Sequence, residues 1–307
     1  MSLQIQPPWH ATGTVLNNHP DTAEQAITQA GLNWTATKMP IVALDGTPVP
    51  GQYAVVREDD SGNTAALGVV GRKYKIVQNR SAFTFFDAFV ANGLATYEGA
   101  GAFKDGRIIW VLAKLRNELR ITGNDLVARY LLLTNSHDGS SCVQVMFSPI
   151  RLFCSNQLAM LRSINEKRLS IRHTPSVLSK MHDTQEYLSH VNHQFERTAD
   201  AYRALATSFV NNQDARQYLR TLFPDPGGDA KRNRNRAIRE KVTELYTLGV
   251  GTEDTRHTYW RLYNAVTEYV DHARNPDNDE ARVRSAWLGQ GAQLKQKALH
   301  LALKEAA

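Results

Sequence analysis

The fold class of this chain follows from one stretch, RYLLLTNSHDGSSCVQVMFSPIRLFCSNQLA, which spans residues 129–159. The stretch begins with the apolar run 131–133 and continues through residues 135–139, which are typical of turns. From Val143 to Phe147, apolar residues alternate with polar ones, as in a strand with one buried face. The stretch therefore predicts a β-hairpin.

The end of the same stretch predicts a helix. Ser155 or Asn156 can cap a helix that begins at Gln157, and the free N–H groups at such a helix end suit an anion. Arg151 lies just before this junction. Two interpretations stay open: Arg151 contacts a phosphate or the backbone, or the segment is a well-capped strand-to-helix junction with one exposed arginine.

Two more hairpins are predicted before this stretch. One has its turn at residues 59–63, and the other has the strong turn sequence Lys-Asp-Gly at 104–106. The strands on either side of these turns cover 53–56 and 65–77 for the first hairpin, and 95–103 and 107–116 for the second. The last of these strands is apolar on both faces, so we expect it to be central in the sheet.

Helical periodicity appears twice in the first half of the chain. Residues 22–30 have an alanine-rich stripe, with Asp21 as the expected cap and Gly31 as the stop. A second helix follows Asn79 and has an aromatic stripe that we assign to the core: Phe83, Phe86, Phe89. The fold class is thus α+β, a twisted antiparallel sheet with helices packed on one face.

Residues 175–307 are mostly helical by the same criterion. An apolar stripe from Val177 to Phe209 predicts one helix of about nine turns, and further helices are expected at 255–270 and 294–303. We therefore divide the chain into an α+β sheet domain, 1–174, and a helical C-terminal region, 175–307, packed on it.

Composition is that of an ordinary soluble protein, with 307 residues, 42% of them hydrophobic and 21% charged. The sequence has no apolar run long enough to span a membrane and no secretory signal, so we expect the cytoplasm and no membrane contact. Cys142 and Cys154 lack the spacing and histidine partners of a zinc site and are expected to be reduced thiols.

The net charge is +6, which favours a polyanionic partner. Two cationic clusters carry the excess, and together they predict a nucleic-acid-binding surface, best suited to single-stranded DNA. The first cluster contributes Arg232, Arg234, Arg236, Arg239 and Lys241. The second cluster is Arg162, Lys167, Arg168, Arg172 and His173, of which we assign Lys167, Arg168 and Arg172 to phosphates, together with Arg151 from the earlier segment. The alternative is that both clusters are merely solvated faces.

Catalytic signatures are scarce. His137 and Asp138 adjoin Ser136, but neighbours in a turn cannot form the aligned relay of a hydrolase triad, so we interpret them as turn residues. His190 and His193 lie one helical turn apart without a third ligand at a recognisable spacing. We expect no catalytic residue, no metal and no cofactor, although carboxylates brought together by folding would escape a linear inspection.

A set of short motifs is spread along the chain: Pro8-Trp-His10 with Gly13-Thr14, Ala30-Gly-Leu-Asn-Trp34, Gly71-Arg-Lys-Tyr-Lys75, Leu133-Thr-Asn-Ser-His-Asp-Gly139, Ser148-Pro-Ile-Arg151, Cys154-Ser-Asn156, Asn264-Ala-Val-Thr-Glu-Tyr-Val-Asp-His272 and Ala286-Trp-Leu-Gly289 before Lys295. With these motifs the chain resembles the phage/plasmid-like protein family, domain of unknown function nine-three-two. The similarity covers nearly the whole chain and implies a setting in mobile elements of bacteria. The chain departs from the family pattern after His10.

At the level of fold, a hairpin-rich sheet in a basic phage protein is similar to the single-strand annealing proteins, the RecT, Red-beta and Erf group. That resemblance implies a ring or filament that holds one DNA strand. No functional residue is carried over, because no motif matches position by position.

The sequence therefore predicts a non-catalytic, homo-oligomeric, phage- or plasmid-derived protein that binds single-stranded DNA in recombination or replication. One alternative is a protein-interaction factor that modulates a host defence protein. A second alternative is a metal-dependent DNA-processing enzyme.

Overall fold

A computed structural model describes residues 7–59, 61–152, 155–159, 169–187, 191–225, 227–250, 256–274 and 278–307. Its main feature is a seven-stranded antiparallel sheet with the order β1-β5-β6-β8-β9-β10, in which β7 also pairs with β8. The strands are β1 (Gly13–Val15), β5 (Ala95–Phe103), β6 (Ile108–Leu115), β7 (Leu119–Thr122), β8 (Asp125–Ser136), β9 (Val143–Arg151) and β10 (Leu169–Ile171). The α+β fold class predicted from the sequence is confirmed.

The hairpins predicted at the centre of this sheet are present. β8 pairs with β9 in a register that places Thr134 opposite Gln144, and β5 pairs with β6. The Arg107 N–H donates to the Lys104 carbonyl oxygen at 3.2 Å, and the two residues between them, Asp105 and Gly106, have positive φ values of +55° and +95°. A turn with two central residues of positive φ matches the right-handed twist of the flanking strands, which explains this tight connection.

Both faces of the sheet are covered. On one face, Ile109, Val111 and Leu133 belong to the larger hydrophobic core. On the other face, Trp110 belongs to a second core, which also includes Trp287 from the C-terminal region. The prediction of helices on one face is therefore incomplete, because a helix also packs on the opposite face.

A three-stranded antiparallel sheet and three short helices complete the first half. The strands are β2 (Thr35–Val42), β3 (Pro48–Glu58) and β4 (Thr64–Gly71); the helices are α1 (Ala23–Gln29), α2 (Asn79–Phe83) and α3 (Asp87–Ala91). Two details of the sequence prediction are wrong. β4 ends at Gly71 instead of continuing to residue 77, and the side chain of Thr22, not Asp21, caps α1 by accepting from the Gln25 N–H.

The second half is helical. Its helices are α4 (Val177–Tyr187), α5 (Val191–Thr207), α6 (Asn212–Leu222), α7 (Asp229–Leu248), α8 (Tyr259–Glu268), α9 (Asp279–Leu288) and α10 (Gln290–Ala306), with a π-helical turn, Tyr269–Ala273, after α8. The apolar stripe predicted for one helix up to Phe209 covers α4 and α5. Phe209 lies beyond the end of α5 and is 66% exposed, so its assignment to that stripe is wrong.

The helices share a core with the sheet. The larger hydrophobic core contains Leu131 from β8 together with Tyr202 from α5 and Trp260 from α8. The boundary at residue 174 stays a prediction, because this core includes residues from both sides of it. Within the described residues, none of the helices combines the length and apolar character that a lipid bilayer requires.

The helix predicted to begin at Gln157 is absent from the described residues 155–159. Gln157 forms an isolated antiparallel bridge with Ile150, and its backbone N–H donates to Asp271 Oδ2 at 2.8 Å. The Ala159 N–H donates to the hydroxyl of Tyr263 at 2.7 Å. These partners on distant segments satisfy the backbone groups that the predicted helix would have left free.

A buried ion pair anchors this segment. Lys295 Nζ lies 2.9 Å from Asp271 Oδ1, and the two side chains are only 2% and 1% exposed. Lys295 also donates to Gln157 Oε1 at 3.1 Å. Burial lowers the pKa of Lys295, and the carboxylate of Asp271 acts in the opposite direction, which favours the charged ammonium. The pair connects α10, the π-helical turn and the segment after β9.

Candidate nucleic-acid interface

Helix α7 presents the first cationic cluster to solvent. It begins after Gly228, whose φ of +99° suits glycine, and its first two turns are almost entirely exposed. Over its length α7 has six cationic and three acidic residues. Its inner side is anchored by Val242 and Tyr246, which are buried.

Helix α6 adds two arginines that the sequence analysis did not include. Asn211 caps α6 by accepting from the N–H groups of Gln213 and Asp214. Arg216 and Arg220 are exposed and four residues apart, so they lie on the same side of the helix. This spacing in an amphipathic segment was the signal by which the sequence could have identified them.

A groove separates α6 from α7. Its volume is about 450 Å³, and it is lined by four arginines, one acid and two smaller side chains: Arg216, Arg220, Arg236, Arg239, Glu240, Leu219 and Thr243. The two helices thus bring two cationic faces together across a short distance. We call this feature the α6–α7 groove.

Some cations of the groove and its surroundings have acidic neighbours. Arg239 Nη2 lies 2.7 Å from Asp225 Oδ1, with Arg239 only 16% exposed, whereas Arg236 lies 3.9 Å from Glu240 with both side chains exposed. Ion pairs between exposed side chains contribute little and exchange readily with other anions. Arg236 is therefore available to a ligand, while Arg239 is held mainly by Asp225.

Two other members of the cluster form similar exposed pairs. Arg232 lies 3.3 Å from Asp229, and Lys241 lies 2.7 Å from Glu244. By contrast, Arg216, Arg220 and Arg234 form no ion pair within the described part of the chain. These three guanidinium groups give the surface its uncompensated positive charge.

Arg151 does not belong to this surface, so its assignment as a phosphate contact is wrong. Its side chain is 3% exposed, and its Nε donates to Asp125 at 2.8 Å. Trp260 Nε1 donates to the other oxygen of the same carboxylate at 2.7 Å. Arg151 therefore neutralises a buried carboxylate and is not accessible to a nucleic acid.

The remaining predicted residues lie elsewhere. Arg172 is exposed between β10 and α4 and does not line the α6–α7 groove, while Lys167 and Arg168 lie outside the described residues. The structure thus brings together the cluster on α7 and adds α6 to it. It does not bring the second predicted cluster into the same groove.

The His137–Asp138 turn has no triad geometry. Asp138 Oδ1 accepts from Ser136 Oγ at 2.7 Å and from the Ser140 N–H at 2.9 Å, as expected of a turn residue. His137 is fully buried and its Nε2 lies 2.8 Å from Asn79 Oδ1. Burial, with a smaller contribution from His173, lowers the pKa of His137 to about 4. His137 is therefore neutral and packed in the core at physiological pH.

The described residues contain no group of three or more His, Cys, Asp or Glu side chains arranged to hold a metal ion. His193 is exposed on α5, and His190 lies outside the described residues. Cys142 is a partly buried free thiol, and Cys154 also lies outside the described residues.

Comparison with known proteins gives one match. The model of the family described as Domain of unknown function (DUF932) matches residues 66–287. No curated protein and no solved structure matches the chain. The matched range extends from β4 to α9 and includes both the central strands and the α6–α7 groove.

Proposed function

The chain belongs to the DUF932 family, and we propose that it binds single-stranded DNA in the α6–α7 groove. The observation that carries this proposal is the convergence of Arg216 and Arg220 with Arg236 across the groove. A guanidinium group offers a planar pair of donors that fits a phosphate, and the first two of these have no acidic partner among the described residues.

The helix dipole adds to the same argument. In the first two turns of α7, three cations and one acid, Asp229, lie at the positive end of the helix dipole, so the cations there are compensated only in part. Gly228 has no side chain to cap the helix, and within the described residues no side-chain capping bond is made at this end. A phosphate backbone along α7 would offset both costs.

The size of the groove favours a single strand. Its volume of about 450 Å³ is that of a small-molecule site, which accommodates individual nucleotides of a flexible chain better than the wall of a duplex. Leu219 lies at the base of the groove and is only 4% exposed, so the accessible lining is mainly that of the arginines. Cations that follow the phosphate backbone are a usual element of single-strand binding.

A single groove with four arginines neutralises only a few phosphates and gives modest affinity. We therefore include homo-oligomerisation in the proposal, because repeated grooves along one strand multiply weak contacts into tight binding. The proposed role is non-catalytic: the protein holds a strand during recombination or replication of a mobile element, in the cytoplasm of its bacterial host.

Fluorescence anisotropy of labelled oligothymidylate, titrated with the full-length protein over a series of salt concentrations, tests the proposal. The test variant is Arg216→Gln/Arg220→Gln. The control is Arg72→Gln/Lys73→Gln, which removes the same charge from exposed positions after β4. We expect the test variant to lose about tenfold or more in affinity. The slope of log affinity against log salt concentration should become shallower by about 1.4, since each phosphate contact contributes about 0.7 to this slope for single strands.

Three outcomes would contradict the proposal. The wild-type protein fails to bind, or the two double variants bind equally well, or a duplex of the same length binds more tightly than the single strand. The first result excludes nucleic-acid binding, the second excludes the α6–α7 groove as its site, and the third excludes the preference for single strands.

A further inference from the structure

A second cleft lies at the end of the large sheet, away from the α6–α7 groove. Its floor is formed by three adjacent strands, through Ile108 of β6, Thr134 of β8 and Gln144 of β9. Its roof is one side of α9, where lining residues recur at helical spacing from Ala281 to Leu288. The volume is about 460 Å³, within the range of about 300–1,000 Å³ typical of small-molecule sites.

Three cations from separate segments converge on this cleft. They are Lys104 from the β5–β6 turn, Arg274 after the π-helical turn and Arg284 from α9. All three are partly buried, and none of them forms an ion pair within the described ranges. Partial burial strengthens their attraction for an anion relative to fully exposed cations.

Two acids, Glu280 and Asp138, lie beside the cleft without lining it. None of the described lining residues is acidic. Glu280 accepts from the backbone N–H of Lys104 at 2.9 Å, and Asp138 accepts from Ser136 and Ser140. Burial acts to raise the pKa of Asp138, but the hydrogen bonds from Ser140 and Ser136 and the charge of Lys104 together lower it. The cleft itself therefore keeps a positive lining.

Neutral hydrogen-bonding groups complete the lining. Hydroxyl groups come from Thr134, Ser140 and Ser141, and Arg274 donates to Gln290 Oε1 at 3.3 Å. Gln144 Oε1 is buried and has no hydrogen-bond partner among the described residues. A buried acceptor without a partner is costly, so a ligand hydroxyl or amino group at this position would be favourable.

The start of α10 faces the same cleft. α10 has 17 residues, and its N-cap residue, Gly289, makes no side-chain capping bond. Ser285 Oγ accepts from the Gly291 N–H at 3.2 Å, and the Gln293 N–H donates to the Gly289 carbonyl oxygen at 3.2 Å. The positive end of the helix dipole thus adds to the three cations in attracting an anion.

We propose that this cleft is a binding site for a small phosphorylated ligand of about mononucleotide size. The phosphate is held by Arg284, Lys104 and Arg274, and the hydroxyl or amino groups of the ligand pair with Gln144 and the serines. The apolar side chains of Ile108 and Leu288 cover the less polar part of the ligand. This site is separate from the proposed nucleic-acid surface and shares no lining residue with it.

Isothermal titration calorimetry of the full-length protein with inorganic phosphate, ribose 5-phosphate and adenosine 5′-monophosphate tests the proposal. The main variant is Arg284→Gln, and Arg72→Gln is the control that removes one exposed cation elsewhere. We expect adenosine 5′-monophosphate to bind more tightly than inorganic phosphate. Arg284→Gln should weaken its binding about tenfold or more, as expected for a charge-assisted hydrogen bond, and Arg72→Gln should not.

A second variant distinguishes a loss of binding from a folding defect. Ser141→Ala removes one hydroxyl from the lining and leaves all charges in place, so a several-fold loss of adenosine 5′-monophosphate binding with an unchanged melting temperature supports the site. Absence of binding by all three probes overturns the proposal, as does equal binding by wild type and Arg284→Gln. The groove variant Arg216→Gln/Arg220→Gln should bind the mononucleotide normally, which separates this result from the test of DNA binding.

Discussion

Arg151 Nε donates hydrogen bonds to both carboxylate oxygens of Asp125, at 2.8 and 3.0 Å, and both side chains are almost completely buried. Asp125 begins β8 and Arg151 ends β9, so the pair closes one end of this strand pair. Trp260 of α8 donates to the same carboxylate. The arginine that the sequence presents as a phosphate contact is therefore part of the connection between sheet and helices.

This arrangement predicts a large stability loss when only one partner is removed. Arg151→Met should reduce the free energy of unfolding by about 3–5 kcal/mol, because it leaves the carboxylate of Asp125 buried without its counter-charge. Urea denaturation measures the effect. The double variant Arg151→Met/Asp125→Asn should regain part of the loss, and Arg172→Gln, at an exposed position, should be near neutral. Equal stability of Arg151→Met and Arg172→Gln would contradict the assignment.

The second buried pair makes a similar prediction for the C-terminal helix. Lys295→Met should also cost about 3–5 kcal/mol, since it removes the ammonium group 2.9 Å from buried Asp271. Lys297→Met is the matched control, because Lys297 is exposed on the same helix. Circular dichroism during urea titration compares the two. If both substitutions had the same small effect, Asp271 would not depend on Lys295 for its charge.

His137 makes stability depend on pH. Because burial lowers its pKa from the ordinary 6.5 to about 4, the unfolded chain takes up a proton between these values and the folded chain does not. The contribution of neutral His137 to the free energy of unfolding is complete above pH 6.5 and is lost as the pH falls toward 4. A difference of this size corresponds to about 3 kcal/mol.

Urea denaturation at several pH values between about 7 and about 4 checks this dependence. His137→Gln keeps a donor near the position of Nε2, which lies 2.8 Å from Asn79 Oδ1, and removes the titration. The decline in unfolding free energy with falling pH should be shallower for His137→Gln than for wild type. The exposed control His300→Gln should follow wild type, and a wild-type slope in His137→Gln would show that another group controls the transition.

Local sequence signals were sufficient for the parts of the fold that depend on neighbours in the chain. The turn at 104–106 was predicted from Asp-Gly chemistry, and the structure has positive φ at Asp105 and Gly106. The helix at Gln157 was wrong because its cap signal was equally local. The N–H groups of Gln157 and Ala159 instead bond to Asp271 and Tyr263, more than a hundred residues away. Such contacts leave no trace in a short window of sequence.

The candidate site was likewise predictable only where its residues are neighbours in the sequence. The cluster on α7 is continuous in sequence, so its cations could be identified together, although the sequence left open whether they lie on a helix or on a loop. Arg151 is instead buried by its ion pair with Asp125 of a neighbouring strand, and the sequence does not reveal this pairing. The cleft below α9 combines Lys104, Thr134 and Arg284 from three distant segments, so only the folded chain brings them together.

The close approach of β1 to the sheet gives the last prediction. A Cβ atom at Gly13 would collide with the ring of buried Trp110 and would lie 2.7 Å from the carbonyl oxygen of Ala100, which precedes Gly101, the partner of Gly13 on β5. Gly13→Ala should therefore lower the free energy of unfolding by about 1–3 kcal/mol, as expected for an overpacked core. Gly71→Ala is the matched control, because no atom lies within 4 Å of the added Cβ and Gly71 ends a strand in an exposed position. Urea denaturation followed by tryptophan fluorescence measures both variants, and it also detects displacement of the Trp110 ring. Equal stability of Gly13→Ala and Gly71→Ala would mean that β1 lies farther from the Trp110 ring than the structure places it.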